Sequence, residues 1–321
     1  MEHSTTQNIP NNQIWYTSSD GNVVTPNETY VFGATIKSNT YSNGKGVITF
    51  DGDVTIIGDK AFYDCDKLTS VTLPESVTSI GKKAFYDCDG LTEFTIPDSV
   101  TSIGGHAFQF CDSLKEFKGK FAEDNGRILV VDGVLTAFAP AGITEYTIPN
   151  SITSIGFEAF AYCDSLTSVN IPDSVTTIED SAFEHCDSLT SVNIPDSVTE
   201  IGEGAFEYCS SLTSVNIPDS VMSIGNYAFS YCKSLTSVNI PDSVMTIGNY
   251  AFAYCYSLTS VYCKATTPPV LYGYYVFDNN GSGRKIYVPT ESVDAYKSAT
   301  NWSDYKWAII GYDFETGEVV E

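Results

Sequence analysis

Eight cysteines recur at a fixed step along this chain. They stand at Cys65, Cys88 and Cys111, and again at Cys163, Cys186, Cys209, Cys232 and Cys255, each 23 residues from the last within its group. The one break, between Cys111 and Cys163, is 52 residues, which is 23 plus an insertion of 29. A period of this length marks a stack of similar coils, because one such unit cannot bury an apolar side unless its neighbours cover it. The 321 residues therefore need not divide into the two domains that length alone suggests.

The unit, residues 166–188, reads LTSVNIPDSVTTIEDSAFEHCDS. Leu166, Val169 and Ile171 alternate around polar neighbours as a half-buried strand does. Pro172 ends that strand, since it has no N–H for a ladder, and presets a turn with Asp173 and Ser174. Val175 and Ile178 open a second short extended piece, Ala182 and Phe183 turn a small and a large side chain inward, and Cys186 closes the coil. Stacked copies place equivalent strands in parallel at a spacing of about 4.8 Å.

The open ends of a stack expose sheet edges, so atypical sequence is expected there. Residues 1–46 read as an N-terminal β cap, with hairpin turns at Asp20-Gly21-Asn22 and Asn43-Gly44-Lys45-Gly46. Residues 47–263 read as the array, with its insertion near 119–142, where residues 128–131 and 134–138 flank Asp132-Gly133 as a hairpin that could project as a further contact surface. Residues 264–321 read as a mixed C-terminal cap: Pro268-Pro269, a Gly-rich loop at 278–283, a strand at 285–288 and a helix over 291–299 with Thr290 as its N-cap.

The Ile-Pro-Asp-Ser-Val turns, the Ser-Ile-Gly segments and the Ala-Phe-x-x-Cys closures together resemble the BspA-like leucine-rich-repeat family of bacterial surface proteins. Ile14-Trp15-Tyr16-Thr17, Gly133-Val134-Leu135, Ala139-Pro140-Ala141-Gly142 and Tyr287-Val288-Pro289 are similar to family features as well. The resemblance covers nearly the whole chain. It implies a leucine-rich-repeat solenoid, a right-handed stack of 23-residue coils with a parallel β-sheet. It also implies a cell-surface or secreted, non-catalytic adhesion module that binds host or matrix protein or glycan. It supplies no ligand residues.

Charge narrows the partners. With 16 Lys and Arg against 40 Asp and Glu, the net charge of −24 opposes any phosphate backbone, so no nucleic acid is expected. No apolar run reaches the roughly 18 residues a spanning helix needs, so no membrane insertion is expected either. The start, MEHSTTQNIP, shows no leader pattern. The 42% apolar content supplies a full core.

The candidate chemistry dissolves into repetition. Eight cysteines at one equivalent position have parallel Cβ vectors, which suits a buried column of free thiols acting as small apolar groups and not disulfides; Cys263 stands apart on the last coil's strand. No Cys-x-x-Cys occurs, and the histidines are only His3, His106 and His185, so no metal and no cofactor are expected; His185 sits where other coils carry Tyr and reads as packing or solvent-facing. Asp98, Asp173, Asp196, Asp219 and Asp242 follow the turn proline and serve the turn, with calcium held on these columns as the minor alternative. The loop 278–283 lacks the closing Glu of a calcium loop. A glycosidase needs two carboxylates in unlike environments, and repetition makes environments alike, so no catalytic residues are assigned.

What the stack offers is a polar grid. Ser168 with Asn170, Ser191 with Asn193, Ser214 with Asn216 and Ser237 with Asn239 flank the inward valines. In earlier coils Thr72, Thr95 and Thr147 take the Asn column, and Glu93, Glu116 and Glu145 the Ser column. The plain reading is a sheet-compatible surface whose amides ladder along the stack; the functional one is a ligand-binding face. The two functions that follow are a surface binding module and a structural spacer without a specific ligand.

Overall fold

The computed structural model describes residues 9–320. Its backbone forms two compact units, residues 1–131 with 136–142 and residues 132–135 with 143–321. Both are β-solenoids built from the 23-residue coil.

In the first unit, strands Leu68–Thr72, Glu93–Ile96 and Glu116–Gly119 stack in parallel, with Val71 opposite Phe94 and Phe94 opposite Phe117. A second ladder joins Ile56–Ile57, Ser79–Ile80 and Ser102–Ile103. Gln13–Ser18 lies antiparallel on Leu68–Thr72, and the hairpin Ile36–Ser42 to Lys45–Phe50 completes the sheet. Asn43 and Gly44 make its turn with φ of 52° and 77°, the left-handed pair a two-residue hairpin demands. Asp20-Gly21-Asn22 is not a hairpin turn. Its Asp20 carboxylate accepts from the Asn22 amide at 3.0 Å, a local Asx turn, and the strand before it pairs with Lys45–Phe50 and Leu68–Thr72 instead.

In the second unit a nine-stranded sheet runs from Glu145–Thr147 through Ser168–Asn170, Ser191–Asn193, Ser214–Asn216, Ser237–Ile240, Ser260–Cys263, Lys285–Pro289 and Ile309–Asp313, all parallel, to an antiparallel closing strand, Glu318–Val320. Val134 and Leu135 open the second ladder against Ser154–Ile155, which continues to Val270–Leu271. The insertion strands are Ile128–Val131 and Val134–Phe138, on either side of Asp132 (φ 53°) and Gly133 (φ 81°). Ile128, Leu129, Leu135 and Phe138 are buried, so the hairpin is built into the core and does not project.

The third side of each coil carries no strand, yet it is hydrogen-bonded from coil to coil. Ser181, Phe183 and His185 donate their amides to the carbonyls of Glu203, Ala205 and Glu207 at 2.7, 2.8 and 2.8 Å. This geometry puts the first and last of the three in the left-handed region, with φ of 54° at Ser181 and 56° at His185, and the same holds at Tyr208, Tyr231 and Tyr254. Such a conformation costs roughly 1–2 kcal/mol for a residue with a Cβ and persists where neighbours over-determine it. The sequence reading had no sign of this third ladder.

Inside, Phe160, Phe183, Phe206, Phe229, Phe252 and Phe277 stack with centroids 5.0 to 5.7 Å apart. The thiols are more than filler: Cys186, Cys209, Cys232 and Cys255 donate to the carbonyls of Phe160, Phe183, Phe206 and Phe229 at 3.1 to 3.3 Å. In the first unit Cys88 and Cys111 do the same to Phe62 and Phe85. All nine cysteines are free and buried, Cys263 on its own strand. Toward the C-terminus the helical stretch begins as a 3-10 turn, Thr290–Ser292, and continues as Val293–Ser298. Thr290 makes no side-chain cap; Pro289 precedes the turn, and buried Tyr296 and Trp302 anchor it to the carbonyls of Ala265 and Pro269.

Candidate binding surfaces

Strand register turns the sequence repeat into a grid. Ser168, Ser191 and Ser214 face one another across neighbouring strands, as do Asn170, Asn193, Asn216 and Asn239, while Val169, Val192, Val215 and Val238 between them point into the core. Ser237 continues the row beside Ser260. Side chains alternate across a strand, so the Ser and Asn columns share the outer face; both are exposed, Ser168 partly. The expected amide ladder is absent: among the described residues the four asparagine side chains make no hydrogen bond within the chain. The stapling falls to their neighbours, where Thr167, Thr190 and Thr213 hydroxyls donate to the carbonyls of Thr144, Thr167 and Thr190 at 2.8 to 3.2 Å.

The Asn column does not end at Asn239. Tyr262 stands opposite it, Tyr287 follows, their rings stack at 4.7 Å, and Tyr312 packs edge-on to Tyr262 at 5.4 Å. These tyrosines were missed, although aligning Ser260-Val261-Tyr262 with Ser237-Val238-Asn239 places Tyr262 in the column. In the first unit the corresponding face is charged: Lys118 bridges Glu93 at 2.5 Å and Glu116 at 3.0 Å.

A second column is aromatic. Tyr162, His185, Tyr208, Tyr231 and Tyr254 stack at 4.2 to 4.6 Å with nearly parallel rings, which gives His185 a packing role. His106 pairs through Nδ1 with Gln109 at 3.0 Å, and His3 lies outside the described residues. Within the same coils Glu207 is half-buried; burial, then the charge of Glu184 in the preceding coil, pushes its carboxyl up to about 7. Repetition therefore did not make every carboxylate alike. Asp98, Asp173, Asp196, Asp219 and Asp242 remain exposed on the turns. The acidic groups that do converge are Asp66, Asp87 and Asp89, within 4.8 Å of one another, two of them exposed.

Parallel coils, a polar outer grid and a sealed core of phenylalanine and thiol define a leucine-rich-repeat β-solenoid. The chain belongs to the BspA type leucine rich repeat family, whose profile matches residues 34–122 and 135–259 in six copies. It is similar to a leucine rich cell surface protein of Faecalibacterium prausnitzii, at 34% identity and a TM-score of 0.60 over 65% of this chain and 57% of that one. It is also similar to a leucine-rich repeat protein of Bacteroides ovatus, at 31% identity and a TM-score of 0.54 over 78% of this chain and 61% of that one. The chain thus spans less than two thirds of the length of either relative. No curated protein matches it. No helix among the described residues is long and apolar enough to cross a membrane.

Proposed function

We propose that this chain is the non-catalytic binding module of a bacterial cell-surface protein and engages an extended host or matrix protein, or a glycan, along the Ser and Asn columns of its second unit. The observation that carries this reading is the register of Asn170, Asn193, Asn216 and Asn239, four exposed amides in succession with no hydrogen bond among the described residues. An amide that neither ladders nor caps keeps two donors and an acceptor for a partner. Equivalent amides repeated strand by strand at about 4.8 Å form a row along which many weak contacts to an extended partner can sum. Residues 1–46 and 264–321 serve as caps to residues 47–263 in this reading, and the surface location follows the similarity to a cell surface protein.

Immobilised matrix proteins and mucin glycans, probed with the purified chain, test the proposal. A binding module retains at least one of them saturably, with faster association at low salt if the partner is basic. A spacer retains none.

A further inference from the structure

Trp307 is 86% exposed, while Trp302, five residues earlier in the same segment, is 1% exposed. An exposed indole offers a broad apolar ring face with a polar N–H at its edge, a combination enriched at binding interfaces. Trp307 lines a cleft of about 530 Å³ together with Asp278, Asn279, Arg284, Asp304 and Tyr305. The depression is shallow and open to solvent, a shape that can hold one face of a ligand and leave the other in water.

The floor of the cleft is braced from within. Arg284 donates through Nη1 to the Phe277 carbonyl and to Asn280 Oδ1, its guanidinium centre lying 5.1 Å from the Tyr305 ring centroid. Asn280 in turn donates to the Phe252 carbonyl at 2.7 Å, and the Tyr305 hydroxyl donates to the Tyr274 carbonyl at 2.7 Å. Arg284 Nη1 and the Asn280 amide are thus committed, and Asn279 donates through Nδ2 to Asp278 Oδ2 at 2.8 Å, which leaves Trp307, the exposed Asp304 carboxylate, the Asn279 amide oxygen and one oxygen of Asp278 open to a ligand. Lys306 Nζ lies 5.1 Å from the indole centroid, so one ring face carries the chain's own cation and the other is open.

We propose that this cleft binds a neutral pyranose, the end or an internal residue of a glycan. A pyranose presents an apolar face of C–H groups to an indole and vicinal hydroxyls at its rim, which donate to carboxylates and to an amide oxygen. Asp278 and Asp304 on the lining are balanced by Arg284 and Lys285, and it is the net charge of −24 over the whole chain that disfavours an anionic sugar. The site is separate from the Ser and Asn columns and does not depend on them.

Methyl pyranosides of glucose, galactose, mannose and N-acetylglucosamine, with glucuronic acid as the anionic arm, are titrated against the full chain by tryptophan emission and saturation-transfer NMR. At least one neutral sugar binds saturably, and Trp307→Ala and Asp304→Ala each weaken it by roughly tenfold, about 1.4 kcal/mol. Both side chains are exposed, so circular dichroism stays unchanged. The double variant Asn193→Lys with Asn216→Lys keeps the sugar affinity, which separates this site from the polar face. No saturable neutral sugar, binding of glucuronic acid alone, or unchanged affinity in Trp307→Ala overturns the proposal.

Discussion

The thiol of Cys209 donates to the carbonyl of Phe183, 3.2 Å away and one coil earlier. Each cysteine of this kind ties the closure of its coil to the phenylalanine beneath it, so the column is both packing and a set of weak vertical bonds. Burial raises the Cys209 thiol well above its usual range, with the neighbouring Cys186 adding to the effect. Ellman titration of the folded chain should show few reactive thiols and give all nine after denaturation. Cys209→Ala should cost about 1–2 kcal/mol in denaturant unfolding, from a lost donor and a small cavity. A neutral result would reduce the column to filler. Because the folded thiols ionise later than unfolded ones, the stability they lend is whole below pH ~9 and drains away as pH rises beyond it.

Glu207 supplies the acid-side counterpart. Its carboxyl is pushed up from 4.5 to about 7 by burial and by Glu184, so the folded chain prefers it protonated. The associated stability is full below the unfolded value near 4.5 and declines as pH rises through about 7. Glu207→Gln should therefore stabilise the chain at pH ~8 and leave it nearly unchanged at pH ~4. The carboxyl is only half-buried, so solvent screening holds the gain to about 1 kcal/mol. Thermal midpoints at the two pH values decide it, and an equal shift at both would remove the ionisation account.

The turn serines offer an internal control. Ser220 donates to the Val198 carbonyl at 2.6 Å, the same i to i−22 bond that Ser76 makes to Val54 at 2.7 Å and Ser243 to Val221 at 2.8 Å. The Ser174 hydroxyl is buried without a partner among the described residues. Ser220→Ala should cost about 1 kcal/mol, whereas Ser174→Ala should be neutral or slightly stabilising. Equal losses in urea unfolding would show that the bond is not what matters at this position.

Much of this architecture was legible because period and register are sequence properties. The cysteine step located eight coils but not the parallel strands that follow at Lys285–Pro289 and Ile309–Asp313, Val169 between Ser168 and Asn170 gave the strand and its faces, and Asn43-Gly44 and Asp132-Gly133 named their turns. Three things were not legible. Left-handed backbone at Tyr208 or His185 has no residue signature, since it is imposed by the ladder between coils and not by local preference. Asp20-Gly21-Asn22 carries hairpin chemistry, yet which strand pairs with Gln13–Ser18 is decided by the sheet edge at Leu68–Thr72. The raised carboxyl of Glu207 depends on its burial in the folded coil, which the repeat pattern alone did not reveal. For the candidate face, Asn170 to Asn239 were readable from the repeat, while Tyr262 and Tyr287 required the alignment to be carried past the last regular coil.

The most direct measurement of the proposed function is the affinity of the Asn193→Lys, Asn216→Lys double variant for a ligand retained by the wild-type chain. Both side chains are exposed and unbonded, so the variant should fold with an unchanged thermal midpoint. Two bulky cations in the middle of the grid remove two amide contacts and obstruct the row, and binding should weaken by roughly tenfold or more, with either single change having a smaller effect. Unaltered affinity in a folded double variant would contradict the claim that the Ser and Asn columns form the binding face.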